Sequence, residues 1–270
     1  MENRLTYNIE SVLKLFMPGM IDLLSEQQIS WSSINKVSKA HMQKIRKEIE
    51  STGKMVEREV TFHSVIFGKL TRDNGRADAM FDYFNQLFYS LKKNLKEEER
   101  KFLHGMISNV LLKVNKEYLN FIGELAVLDH YMSMNLYELC NIEETVVSES
   151  NVSIDILFKS KVDSHELLIE VVNIHLANKE FTSFLDLRKH LELKLTEKVQ
   201  SKILTKKRNI KIQPVLWIKD HSNLEFINEF YLKTNFGVEN VLDPMVYCSY
   251  KLNEGRFEHR FESIKTITRP

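Results

Sequence analysis

The chain has 270 residues, 43% of them hydrophobic and 28% charged, enough for one large or two modest domains with real cores. Only eight glycines and four prolines occur, which excludes a mainly disordered or fibrous chain. A formal net charge of +1 excludes a protein that coats nucleic acid through its overall field alone, while leaving room for basic residues gathered on one face.

The opening MENRLTYNIESVLKLF carries acidic residues early and lacks the order of a signal peptide. No apolar run reaches membrane-span length, so no membrane partner is expected. Cys140 and Cys248 make neither a disulfide framework nor zinc spacing, and the expected setting is cytoplasmic.

Residues 1–117 read as an all-helical region. Ile9, Val12, Leu13 and Phe16, then Ile21, Leu23 and Leu24, have helical spacing, with Pro18-Gly19 as the break between them. Ile34, Val37, Met42, Ile45 and Ile49 predict a helix from Trp31 to Ile49, capped by Ser32 or Ser33. Asn74-Gly75 signals a turn, followed by a helix over Asp78–Leu91. Phe81, Tyr83, Phe84, Phe88 and Tyr89 fall on one broad face there, which core packing explains better than base stacking. A further helix is expected from Lys96 to Val114, with acidic residues 97–99 in its first turn, where the dipole favours them.

Residues 118–270 change pattern. A helix over Leu119–Met134 precedes β-rich runs at Glu143–Val147, Val152–Phe158 and Leu167–Asn173. Then come a helix over Phe184–Thr205, a strand over Ile210–Lys219 and a helix over Leu224–Thr234. Strands at Met245–Leu252 and Phe257–Thr268 follow, joined by an Asn253-Glu254-Gly255 turn. This order predicts an α/β (α+β) domain with a central mixed sheet flanked by helices on both faces.

Two of these strands each carry one carboxylate inside an apolar run: Asp155 between Ile154 and Ile156, and Glu170 between Ile169 and Val171. A buried charge needs a counter-ion, hydrogen bonds or a metal. A hairpin turn centred on Asp163-Ser164 would bring both acids to one end and face of neighbouring strands. Two or three carboxylates are hard oxygen ligands suited to Mg²⁺ or Mn²⁺. The plainer reading makes them surface acids or partners of Lys and Arg.

The run Phe121-Ile-Gly-Glu-Leu-Ala-Val-Leu-Asp-His-Tyr-Met, followed by a strand, then SIDILF and LLIEVVN, resembles the PD-(D/E)XK, restriction-endonuclease-like nuclease superfamily. The resemblance covers about residues 118 to 220. It implies a metal-dependent nuclease cutting phosphodiester bonds of DNA or RNA, with Glu124, Asp155 and Glu170 as its acids and Asp155 and Glu170 holding Mg²⁺ or Mn²⁺. Where that family places a lysine two residues after the glutamate, this chain has Val172. The missing cation has three explanations. Lys159, Lys194 or Lys198 supplies it from elsewhere; Asn173 or His175 assists the water; or the site is degenerate, and the fold is a nucleic-acid or protein interaction module. Plainer roles are strand-end packing for Asn173 and His175, and solvation for Lys159.

Lys198, Lys202, Lys206, Lys207, Arg208 and Lys211 form the densest basic run, and the first five are the expected phosphate contacts, although cations also suit a helix C-terminus. The helical region is left as a targeting module or the surface of a homodimer.

Overall fold

The computed structural model describes residues 8–24, 29–53, 61–71, 75–147, 152–177, 179, 181–202, 209–218, 221–251 and 257–264. The chain divides into two compact units, Met1–Leu125 and Ala126–Pro270. The division falls within the helix that follows residue 117.

The first unit is helical. α1 (Ile9–Phe16) begins after Asn8, whose side chain accepts the Ser11 N–H. The chain breaks at Met17, and Pro18 opens α2 (Pro18–Leu23), where its missing N–H costs nothing. α3 (Trp31–Thr52) matches the expected helix, but Ser32 and Ser33 lie inside its first turn rather than capping it; Ser30 precedes the helix, and its hydroxyl bonds that of Ser33. α4 (Phe62–Thr71) was not anticipated, and α5 (Gly75–Asn94) is longer than expected at both ends.

The single helix expected over 96–114 is instead α6 (Glu97–Arg100), a 3-10 turn (Lys101–Leu103) and α7 (His104–Leu112). Glu99 explains the sharp start: its carboxylate accepts the Lys96 N–H at 2.7 Å. Phe62, Phe84 and Tyr118 pack at ring separations of 5.9–6.3 Å in the core, with Phe81 and Phe88 also buried. Tyr89 departs from the expected buried face and is 43% exposed.

The second unit is of the α/β class. After α8 (Tyr118–Ser133) come β1 (Tyr137–Val147), β2 (Val152–Ser160), β3 (Glu166–His175), α9 (Phe184–Lys202), β4 (Ile210–Trp217), α10 (His221–Thr234), β5 (Met245–Lys251) and β6 (Phe257–Ser263). The strands lie in the order β1-β2-β3-β4-β5-β6. β3/β4 and β4/β5 are parallel and the other pairs antiparallel, so the sheet is mixed. Each parallel pair needs a crossover, supplied by α9 and α10. The Asn253–Gly255 turn, the last residues expected in β6 and the final turn expected of α9 lie outside the described residues.

Side-chain alternation sorts the sheet into two faces. Leu187, Leu191 and Leu195 of α9 and Leu224, Ile227 and Phe230 of α10 pack with Ile174, Ile212, Leu216 and Val246. On the other face, Tyr131 of α8 stacks on Phe158 at 5.2 Å and donates to Gln213 at 3.4 Å. Among the described residues, no helix is long and apolar enough to cross a membrane.

Candidate active site

The β2–β3 hairpin fixes the site. Lys159 pairs with Glu166 and Ile156 with Ile169, and the turn between them closes through the Ser160 N–H to the His165 carbonyl at 2.9 Å. Ser164 sits there at φ 61°, in the left-handed region. Continued by one residue, this register would set Asp155 opposite Glu170. The backbone ladder ends just before that point, and the Asp155 carboxylate fills the gap: its Oδ2 accepts the Val171 N–H at 2.7 Å. The diverging strands therefore keep both acids at one place.

Glu170 is 1% exposed and Asp155 is half-buried. Lys198 and Lys202 on α9 reach in over them. Lys198 Nζ lies 2.6 Å from Glu170 Oε1 and Lys202 Nζ 3.2 Å from the same oxygen. Lys202 also donates to the Ser153 carbonyl at 2.6 Å. Glu170 Oε2 is buried and has no hydrogen-bond partner among the described residues. Burial pushes Asp155 well above the usual carboxylate range, and the neighbouring Glu170 charge adds to this; the Val171 N–H and then the two ammoniums act in the opposite direction.

The donor set fits a hard divalent cation in two respects: both ligand candidates are carboxylates, and one buried oxygen of Glu170 lacks a partner. It resists one in a third respect, because two ammoniums already share Glu170 Oε1. Lys198, whose side chain is 32% exposed, can turn away to water.

The expected auxiliary residues separate. Lys198 brings its ammonium to Glu170, whereas Lys194 is exposed on α9. Lys159 shares Asp155's side of β2 but is exposed and lies about 13 Å further along the strand, too far to serve the same point. Asn173 and His175 alternate onto the face opposite Glu170 and are no part of the site. There, Asn173 accepts the Trp217 indole N–H at 2.8 Å and His175 stacks on the Trp217 ring at 5.9 Å. Glu124 belongs to the first unit, partly buried on α8.

Of the expected phosphate contacts, Lys198 and Lys202 turn inward to Glu170, while Lys206, Lys207 and Arg208 lie outside the described residues. The inward turn of Lys198 and Lys202 had a sequence signal. Leu191, Leu195, Lys198 and Lys202 recur at helical spacing, so the two lysines continue the buried leucine stripe of α9.

Comparison with protein-family models, curated proteins and solved structures finds no match for this chain.

Proposed function

We propose that the C-terminal unit is a metal-dependent nuclease of the PD-(D/E)XK type, hydrolysing phosphodiester bonds in DNA or RNA. One observation carries this reading: two carboxylates and an ammonium meet where β2 and β3 part, with Glu170 Oε2 buried and unpartnered among the described residues. The element order, a helix, three antiparallel strands, a crossover helix and a parallel strand, supports it.

Asp155 and Glu170 are the residues to hold Mg²⁺ or Mn²⁺. The bound ion supplies charge neutralisation at the phosphate and lowers the pKa of water. The chain's own groups do the rest. The Val171 N–H orients the Asp155 carboxylate and leaves its Oδ1 for a cation. Lys198 exchanges Glu170 for a non-bridging phosphate oxygen, placing an ammonium where negative charge grows. The helical unit is proposed to select the target or to pair with a second copy, and a cytoplasmic setting goes with Cys140 and Cys248, both free thiols.

A second reading has a specific observation in its favour: two ammoniums already meet Glu170, so its buried charge is balanced without a metal. On that reading the unit is a catalytically degenerate binding module. Incubation with plasmid, single-stranded DNA and RNA plus Mg²⁺ or Mn²⁺, with Asp155→Ala as control, decides between them. The nuclease reading expects metal-dependent cleavage that the substitution abolishes. Absence of both cleavage and calorimetric Mn²⁺ binding supports the binding module instead.

A further inference from the structure

The two lysines that meet Glu170 are not equivalent. Lys198 touches only Glu170 Oε1 among the contacts described, and about a third of its side chain faces solvent. Lys202 is less exposed and spans two elements, with its ammonium 2.6 Å from the Ser153 carbonyl and 3.2 Å from Glu170 Oε1. Ser153 lies on β2 two residues before Asp155, in the stretch where β2 pairs with β1 and no longer with β3. Past Ile156 and Ile169 the backbone pairing of β2 with β3 stops and leaves a gap in the ladder. Lys202 closes that gap from the α9 side, while Asp155 closes it from within through the Val171 N–H.

We propose that Lys202 is a positioning residue: by tying the Ser153 carbonyl to the Glu170 carboxylate it fixes how far β2 and β3 spread, and with that the separation of Asp155 and Glu170. Lys198 is then the one ammonium of the pair free to leave for a phosphate. The inference rests on the metal-dependent reading of this site, but its structural half is tested without it.

The two lysines make opposite predictions for metal affinity. A nearby ammonium repels a divalent cation, so Lys198→Met tightens Mn²⁺ binding. Lys202→Met removes the same charge but also frees the strands, and loosening a group that orients metal ligands weakens binding by about 10–100-fold. Lys202→Met therefore binds Mn²⁺ more weakly than the unsubstituted chain, and Lys202→Arg, which can donate to a carbonyl and a carboxylate together, restores affinity.

Calorimetric titration of the full-length chain and its three variants with MnCl₂ reads this directly, alongside amide hydrogen exchange at Val171. The expected result is weaker binding and faster Val171 exchange for Lys202→Met alone, with Lys202→Arg and Lys198→Met exchanging as the parent does. Tighter binding in Lys202→Met, as in Lys198→Met, overturns the proposal and makes Lys202 a second counter-ion. Should the parent chain bind no Mn²⁺, the metal reading fails and the exchange data decide alone. Faster exchange at Val171 in Lys202→Met only still supports the strand-fixing role, and equal rates in all four proteins overturn it.

Discussion

The Asp155 carboxylate accepts the Val171 N–H at 2.7 Å, just beyond the last backbone pair of β2 and β3. That bond favours the ionised acid, yet burial and the Glu170 charge outweigh it and raise Asp155 to about 7. An unfolded aspartate titrates near about 3.9, so between roughly pH 4 and 7 the folded protein holds this proton and the unfolded chain does not. The stability due to Asp155 is therefore present at the acid end of that window and declines as pH rises through it. Asp155→Asn removes this slope. Urea unfolding of both proteins at several pH values across the window checks it; a difference between them that stays constant with pH contradicts the assignment.

Glu170 sets a second, asymmetric expectation. At 1% exposure its charge is tolerable because Lys198 and Lys202 meet it. Removing both partners strands a buried carboxylate, which costs about 3–5 kcal/mol. Neutralising Glu170 instead lets both ammoniums turn toward water. The double variant Lys198→Met/Lys202→Met is thus expected to melt well below Glu170→Gln, and adding Glu170→Gln to the double variant recovers most of the loss. Thermal denaturation of the four proteins at neutral pH gives the comparison.

How far the sequence announced this structure depends on what each segment left visible. Asp155 and Glu170 stood out because each is a lone carboxylate in an apolar strand, and the turn at Asp163-Ser164 fixed their register. β1 was legible only over its second half. A register shift between Leu139 and Asn141, with Glu143 at φ 55°, breaks the alternation on which a strand reading depends. α4 went unseen because Phe62-His-Ser-Val-Ile-Phe-Gly-Lys-Leu-Thr is a short apolar run that periodicity cannot assign. Lys198 and Lys202 were read as part of a basic helix end because lysines suit that position anyway. The leucine spacing of α9 marks the face they share, but the partner they meet lies 28 or more residues earlier in the chain, which no local pattern encodes.

In the helical unit, His63 is fully buried, and its Nε2–H donates to the Leu111 carbonyl at 3.0 Å. Burial, reinforced by the neighbouring His41, lowers its pKa to about 4. An unfolded histidine takes up its proton near about 6.5, so stability contributed here is present above that value and is lost as pH falls toward 4. His63→Gln should flatten this loss between about pH 6.5 and 4. The check is the midpoint of helical unfolding followed by circular dichroism; an unaltered pH profile in the variant would remove His63 as its source.

Gly19 marks a close approach of α2 to α5. Its N–H donates to Asn85 Oδ1 at 3.2 Å. An added Cβ would stand 3.0 Å from the Asn85 carbonyl oxygen and 3.1 Å from both Cγ and the backbone nitrogen of Tyr89. Alanine's better helix propensity is worth about 0.5–1 kcal/mol, whereas overpacking against a backbone that cannot yield costs about 1–3 kcal/mol. Gly19→Ala is expected to lower the melting temperature, and an unchanged or raised one would show that α2 shifts freely.

Val172 and Lys198 offer the most direct test of the proposed chemistry. Val172 shares the Glu170 face of β3 and packs, partly buried, against the α9 and α10 cluster. If Lys198 supplies the cation that the valine at 172 cannot, Lys198→Met lowers metal-dependent cleavage by about 10²-fold or more. Val172→Lys in that background returns an ammonium to Glu170's side of the strand, its stem lying along the apolar surface the valine occupied. Partial recovery of the cleavage rate is expected, read from plasmid nicking in Mn²⁺ with circular dichroism to show that each variant folds. A folded double variant that binds Mn²⁺ yet recovers no activity would separate Lys198 from the chemistry and leave it as a counter-ion to Glu170.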